Sequence, residues 1–500
     1  MRGAGQRLRL DTLDRVAGPG RGWHGPQVDP RALRVGVVHL GLGAFHRAHQ
    51  AVFTELAAAA TGRDDWGIAG VTQRSAAVRE QLVPQDGLYS VLERGADGPA
   101  LRVVGSVREV LHGGGDPAAV VDRIADPAVR VVTVTVTEKG YRRDGRGGLD
   151  RSDPEVVADL TGRPPRTAVG QLVRGLQARR SRGGAPVTVL SCDNLSGNGR
   201  VLRGLVHEFV AALPAAQGAG LADWITGAVR FPSCMVDRIV PATRDEDRAD
   251  ANRLLGLEDR GVVVTEPFRQ WVIEDDFAAD RPTWERAGAL FTTDVAGWEA
   301  VKLRTLNATH SLLAYLGALS GYDTIAAALS DDRLAAAAEA LMVEDVTPTL
   351  RVPDGLDLAG YRRQVLARFA NPALRHRTVQ VAMDGSQKLP VRLLGTVRDR
   401  LSAGVVPRHA TLAVAAWMVY VARGWDVRGR ELPLDDPLAD RLRAAASADA
   451  DPSRLVDSLL RVSEIFGPDL PEHGGFRAVL TEQVMRLRTD LNGSSSHHPY

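Results

Sequence analysis

The stretch that most constrains this chain is VGVVHLGLGAFHRAHQAVFTELAAAA, which begins at Val35. A short valine-rich run empties into Gly41 and Gly43, and a segment with helical spacing follows at once, so the order is strand, glycine turn, helix. Such a turn brings backbone amides at a helix N-terminus close to whatever lies over it, which suits a pyrophosphate. The third glycine of the usual G-x-G-x-x-G pattern is replaced by His46. The motif therefore gains its meaning from standing between a strand and a helix. Gly41, Gly43 and Phe45 are the candidate cofactor contacts of this turn.

The next strand, WGIAGV, ends at Val71, where an NAD-binding fold usually presents a carboxylate to the adenosine ribose. Here the chain continues Thr72, Gln73, Arg74, Ser75. An arginine in place of the acid leaves room for a 2'-phosphate, so NADP stays open beside NAD, and Arg74 joins the cofactor candidates. LYSVLE and LRVVGSVREVL read as further strands with a helix to follow. VRVVTVTVTEKGY, residues 129–141, reads as one long buried strand, with Glu138 and Lys139 beyond its C-terminal end, where open α/β sheets place ligands. After a helix over 167–181, PVTVLSCDNLSGNG repeats the pattern of a strand emptying into a polar turn, with Asp193, Asn194 and Asn198. In MVDRIVP a carboxylate, Asp237, sits among apolar residues and either pairs with Arg238 or another base or points into a site. VVVTEPFRQWVIEDDF is strand-like.

From about residue 296 the character changes to Leu- and Ala-rich segments at helical spacing, over 298–320, 331–344, 358–370, 409–423, 436–448, 453–465 and 475–491. The expectation is an α/β fold: a Rossmann-type N-terminal domain over 34–295 and a largely α-helical C-terminal domain over 296–492. A loosely held lead-in over 1–33 and a disordered tail over 493–500 complete the division. Two such halves predict a substrate cleft between them.

Composition matters most through one residue type. Only Lys139, Lys302 and Lys388 are lysines, against 62 basic residues in all. Arginine serves as surface charge or anion clamp but stays protonated, whereas a desolvated lysine can lose its proton near neutral pH. Lys302 lies in EAVKLRTLNATH. On a regular helix at about 100° per residue, Asn307 falls roughly 140° and His310 roughly 80° from it, on one broad face. Asn307 and His310 are direct i,i+3 neighbours. Lys388 follows Gly385 and Ser386 in MDGSQKLP. The remainder of the composition excludes more than it suggests. A net charge of +1 with 44% hydrophobic residues gives no bulk attraction to nucleic acid or membrane. No apolar run approaches membrane-spanning length and no signal peptide is visible. Cys192 and Cys234 form no paired-cysteine motif, which fits a reducing cytoplasm.

Oxidising an alcohol carbon with a nicotinamide requires a base for the hydroxyl proton and donors for the oxygen. Lys302 suits the first if its pKa is lowered, and Asn194 with Asn307 suits the second. His310, Lys388 and Asp237 suit the hydroxyls of a polyol. No HExxH or similar ligand set appears, so no metal is expected.

GLGAFHRAHQ, TVTEKGY, SCDN with a following NG, MVDRIVP, EPFRQWVIEDDF, KLRTLNATH and AMDGSQKLP, in this order over roughly residues 35–470, resemble the mannitol dehydrogenase family of polyol-specific long-chain dehydrogenases. The resemblance implies metal-independent, NAD-linked oxidation of a secondary alcohol, and a monomer is compatible with it. It implies Lys302 as general base, Asn194 and Asn307 as polarising donors, and His310, Asp237 and Lys388 as substrate contacts. Glu299, three residues before the base, matches a glutamate of the proton path, to which Glu138 is added. Some members carry a substrate-binding arginine eight positions before the lysine of the DGSxK motif, where this chain has Gln380. HRTVQVAMDGSQKLPVRLL resembles instead the branch containing fructuronate reductase. The expected substrate pair is D-mannitol and D-fructose, narrowly ahead of D-mannonate and D-fructuronate, with mannitol 1-phosphate and fructose 6-phosphate third. The competing class is a nucleotide-binding sensor that has lost turnover.

Overall fold

A computed structural model of the chain describes residues 6–16, 22–447 and 451–493. Two compact units divide it, Met1–Ala296 and Gly297–Tyr500.

The first unit is built on six parallel strands: β1 (Val35–Leu40), β2 (Gly67–Thr72), β3 (Val107–His112), β4 (Val131–Val134), β5 (Val187–Ser191) and β6 (Val229–Arg230). Their order across the sheet is β3-β2-β1-β4-β5-β6. This is the doubly wound Rossmann order, with its switch point between β1 and β4. Alternate side chains feed two cores, because both faces are covered. Val38, Leu40, Val71, Val132 and Val134 pack on one side with Leu172, Leu176 and Phe209. Val37, Ile68, Val131 and Leu190 pack on the other with Val52 and Phe53. Burial on both faces is why the strands read as valine runs rather than as alternating patterns.

Three expectations for this unit change. The long strand over 129–141 is only four residues of β4, followed by a 3₁₀ turn over Glu138–Tyr141. Past Thr135 the backbone turns to another acceptor: Val136 and Thr137 donate their N–H groups to the Asp193 carboxylate at 3.0 and 2.9 Å. LYSVLE does not join the main sheet; Tyr89–Gly95 pairs antiparallel with Gly98–Val104 in a separate four-stranded sheet. VVVTEPFRQWVIEDDF divides at Pro267, with Val263–Thr265 in that sheet and Gln270–Glu274 in a three-stranded one, paired with Cys234–Asp237.

The loosely held lead-in also needs correction over residues 6–16 and 22–33. Leu8 and Leu13 are buried in a core cluster, and Leu8 N donates to Glu258 O at 2.8 Å. Trp23–His24 pairs with Leu101–Arg102, and Gln27 N donates to the buried Glu55 carboxylate at 3.0 Å. Polar composition concealed backbone partners far along the chain. Residues 1–5 and 17–21, and residues 494–500 of the expected tail, lie outside the described residues, whereas Gly493 ends the helix Gly474–Gly493.

The second unit is helical around Ala308–Leu319, every residue of which is buried. Ile325–Leu329, Thr378–Ala382 and Arg408–Arg423 pack against it. The helix expected over 298–320 is not uniform. Val295–Val301 is α, Lys302–Asn307 is π, and α resumes at Ala308. Two more π segments, Leu341–Val346 and Pro390–Leu394, pack against this one. The last begins at a proline, whose missing N–H and ring clash disfavour the α bond. Neither proline nor glycine lies within Lys302–Asn307.

Candidate active site

In the first unit, a cavity of about 650 Å³ opens at the C-terminal ends of the strands, over the switch point. Gly41 and Gly43 line it, as do Gln73, Arg74, His112 and Lys139. Gly41 is irreplaceable on two counts: its φ is 102°, and a Cβ there would stand 1.9 Å from the Thr135 carbonyl oxygen. Phe45 does not line this cavity; it stacks on His49 at 5.1 Å and packs on the core. His46, in the third glycine's place, stacks on His39 of β1 with centroids 3.4 Å apart at 15°. His39 is satisfied by Thr133 Oγ1 at 2.7 Å and Gly41 O at 3.0 Å. Burial pushes His39 down to about 3, and burial with the neighbouring His39, His49 and Arg47 holds His46 well below the ordinary imidazole value. Both rings are neutral braces beneath the turn.

The polar loop after β5 is held by two buried groups. Asp193 accepts from the N–H groups of Val136 and Thr137 and from the Tyr141 hydroxyl at 2.7 Å, which fixes the loop carrying Glu138 and Lys139. Thr137 sits there at φ 65°, a left-handed conformation such a residue adopts only when its surroundings enforce it. Asn198 donates to Asp193 O at 3.0 Å and Cys234 O at 2.8 Å, and accepts from Cys234 N at 3.0 Å. One amide thus positions both the exposed Asn194 and the strand that carries the buried Asp237. Arg238 is not Asp237's partner: its guanidinium reaches Glu93 at 2.6 Å, Glu266 O at 2.9 Å and Ala48 O.

In the second unit Lys302 is 5% exposed. The π turn changes its relation to Asn307. With i→i+5 bonding, the residue five positions on lies roughly one turn above rather than about 140° around, so Lys302, Asn307 and His310 share a narrower face than a regular helix would give. Arg392 Nη1 bonds Asn307 O at 3.4 Å and Ser311 Oγ at 3.1 Å, bracing the end of this turn. Glu299, one turn before Lys302, is half-buried.

His310 is 8% exposed and stacks on Phe369 with centroids 4.8 Å apart. Its Nε2 is buried and meets no hydrogen-bond partner among the described residues. Burial, with the charges of His376, Arg392, Lys388 and Arg368, holds it well below the ordinary imidazole value. In MDGSQKLP, Asp384 adopts φ 55°, Ser386 is tied to Asp436 at 2.6 Å, and Lys388 turns back. Its ammonium donates to Met383 O at 2.5 Å and Val381 O at 3.2 Å, at the carbonyl end of Thr378–Ala382, where a helix favours a cation. Gln380 on that helix is exposed.

Comparison with known proteins places this architecture. The mannitol dehydrogenase Rossmann domain matches residues 35–286 and the mannitol dehydrogenase C-terminal domain matches 294–488. The chain belongs to the mannitol dehydrogenase family. It is 44% identical to the uncharacterized oxidoreductase YeiQ of Escherichia coli over 91% of this chain and 92% of that protein. It is 42% identical to the D-mannonate oxidoreductase of the same organism, over 92% and 95%. The structure of Pseudomonas fluorescens mannitol 2-dehydrogenase in ternary complex with NAD and D-mannitol matches with a TM-score of 0.87 and 35% identity, covering 98% of this chain and 99% of that one. The protein is an oxidoreductase of this family acting on CH–OH groups, a dehydrogenase of polyols or sugar acids.

Sequence reading missed four contributors. Asp193 looked like a turn residue, Arg392 was one of 59 arginines, Arg368 sat within a helical pattern, and His376 lay in a basic stretch. Only their tertiary neighbours set them apart.

Proposed function

We propose that this protein is an NAD-linked dehydrogenase interconverting a six-carbon sugar acid or polyol and its keto form. D-mannonate and D-fructuronate stand first, and D-mannitol and D-fructose second. The observation that carries the reading is the burial of Lys302 on a π turn that also presents Asn307 and His310. The greater identity to D-mannonate oxidoreductase, with Gln380 where some mannitol 2-dehydrogenases have arginine, moves the sugar acid ahead of the polyol that sequence alone favoured.

The residues over the Rossmann cavity fit a dinucleotide. Gly41 leaves the backbone bare where a Cβ could not stand, and Arg74 and Gln73 lie at the end of β2 where an adenosine ribose belongs. Arg74 also accommodates a 2'-phosphate, so NADP is the second cofactor to test. A bound nicotinamide supplies the two-electron acceptor or donor of the reaction.

The chain's own groups do the rest. Lys302 takes the hydroxyl proton in oxidation and returns it in reduction. A lysine suits this because a buried ammonium gives up its proton far more readily than a guanidinium. Asn194 and Asn307 donate amide hydrogens to the substrate oxygen as its charge develops. His310, Asp237, Lys388 and Gln380 hold the remaining hydroxyls or the acid, and Glu299 with Glu138 carries protons toward solvent.

The test is a substrate panel of these pairs and mannitol 1-phosphate, with NAD and NADP, followed at the reduced-nicotinamide absorbance. Turnover of D-mannonate or D-mannitol is expected. Dinucleotide binding without turnover on any of them would favour an inactive sensor.

A further inference from the structure

His376 is an imidazole for which the proposed reaction has no role. It lies in the turn between Pro372–Leu374 and Thr378–Ala382. Its backbone is pinned on both sides. Its carbonyl accepts from Ile325 N at 2.9 Å, and Arg377 bridges to Thr324. Arg375, just before it, is held at φ 46°, which the surroundings must enforce. The ring is thereby fixed edge-on to His310, with centroids 4.7 Å apart and planes at 67°. His310 also stacks on Phe369, with centroids 4.8 Å apart. His310 thus touches both an aromatic ring and a second imidazole, and its buried Nε2 meets no hydrogen-bond partner among the described residues.

Three basic residues that act on His310 come from three elements. Arg368 belongs to Leu358–Phe369, Lys388 to Gly385–Leu389, and Arg392 to Pro390–Leu394. Lys388 acts on His376 as well, and burial with this charge pushes it down to about 4. Cations gathered in a low-dielectric place raise a local potential that an uncharged polyol cannot exploit and an anion can.

We propose that His376 is a specificity-determining residue of the substrate site: beside Lys388, its imidazole receives the carboxylate of a sugar acid whose hydroxyl is taken by His310. This rests on the sugar-acid reading above and adds which side chain selects for the acid. His310 contributes to polyol and sugar acid alike, because both offer hydroxyls; His376 contributes chiefly to the acid.

The test compares steady-state oxidation of D-mannonate and D-mannitol at saturating NAD by the wild type, His376→Ala and His376→Asn. Thermal midpoint and NADH affinity serve as controls for folding. His376→Ala is expected to raise KM for D-mannonate at least about tenfold, with kcat and NADH affinity changing less than about threefold. His376→Asn, which keeps a donor in less volume, is expected to fall between and serves if the alanine variant does not fold. A KM for D-mannonate within about twofold of the wild type in both variants overturns the assignment while leaving the sugar-acid reading intact. Equal losses on D-mannonate and D-mannitol also overturn it, by marking a general structural role. A wild type that never oxidises D-mannonate removes the sugar-acid reading itself, and the assignment with it.

Discussion

In the Rossmann unit His39 and His46 stack with ring centroids 3.4 Å apart; in the helical unit His310 and His376 meet edge to face at 4.7 Å. Both pairs are held neutral by burial, and each contains a ring with an unpartnered nitrogen, in His46 and in His310. An unsatisfied imidazole is therefore no sufficient sign of a site. What separates the pairs is their surroundings. His39 spends both nitrogens on β4 and the glycine turn, and His46 has the Gln50 amide beside it. His46 has one cation acting on it, Arg47, whereas His310 has basic residues of three helical elements, one of which, Lys388, acts on His376 as well. The first unit uses its histidines to shape backbone, whereas the second sets its pair among more basic residues.

The largest expected effect tests this division directly. Lys302→Ala should lower kcat by about 10²–10⁴-fold while NADH affinity, a property of the Rossmann unit, changes little. Lys302→Arg should be almost as damaging, because a guanidinium does not titrate. Near-normal turnover by the arginine variant would reject Lys302 as base. Next, Gly41→Ala should reverse the pattern, weakening dinucleotide binding and destabilising the first unit by about 3 kcal/mol, since its Cβ has no room beside Thr135 and φ is positive. Titration calorimetry with NADH and a thermal melt read both effects; unchanged binding would separate the turn from the cofactor.

A third expectation concerns acid. His376 is pushed from an ordinary value near 6.5 down to about 4 in the folded chain, so between these values the unfolded state holds the extra proton. Stability therefore rises with pH through that window and is lost as pH falls. From pH 7 to pH 5 this residue alone should cost about 2 kcal/mol, and the deeper-shifted His39, His46 and His310 act in the same direction. A melt series across this range checks it, and a flat profile would mean the rings can charge in place. The smallest effect is at the cavity rim. Arg74→Asp should shift the ratio of kcat/KM for NAD over NADP toward NAD by about tenfold, roughly 1.4 kcal/mol, measured with either substrate pair.

Much of the frame was legible in order along the chain. The strand and glycine turn at Val35–Gly43, the change to helix near residue 296 and the scarcity of lysine all follow from residue type and short-range spacing. The candidate residues followed too, because a titratable amine and scarce amides stand out in an arginine-rich sequence. What escaped reading was set by distant partners. The strand ending at Val134 stops because, one residue on, a carboxylate at 193 captures the amides of Val136 and Thr137. In the lead-in, Leu8 and Gln27 are tied down because Glu258 and Glu55 accept their backbone N–H groups.

The sequence by itself determined which residues could do the chemistry, because side-chain acidity, donor count and local backbone freedom are properties of the residue. Tertiary structure decided how they face one another. The π turn that brings Asn307 over Lys302, and the strained turn that sets His376 against His310, depend on packing between segments tens of residues apart, which no local period encodes.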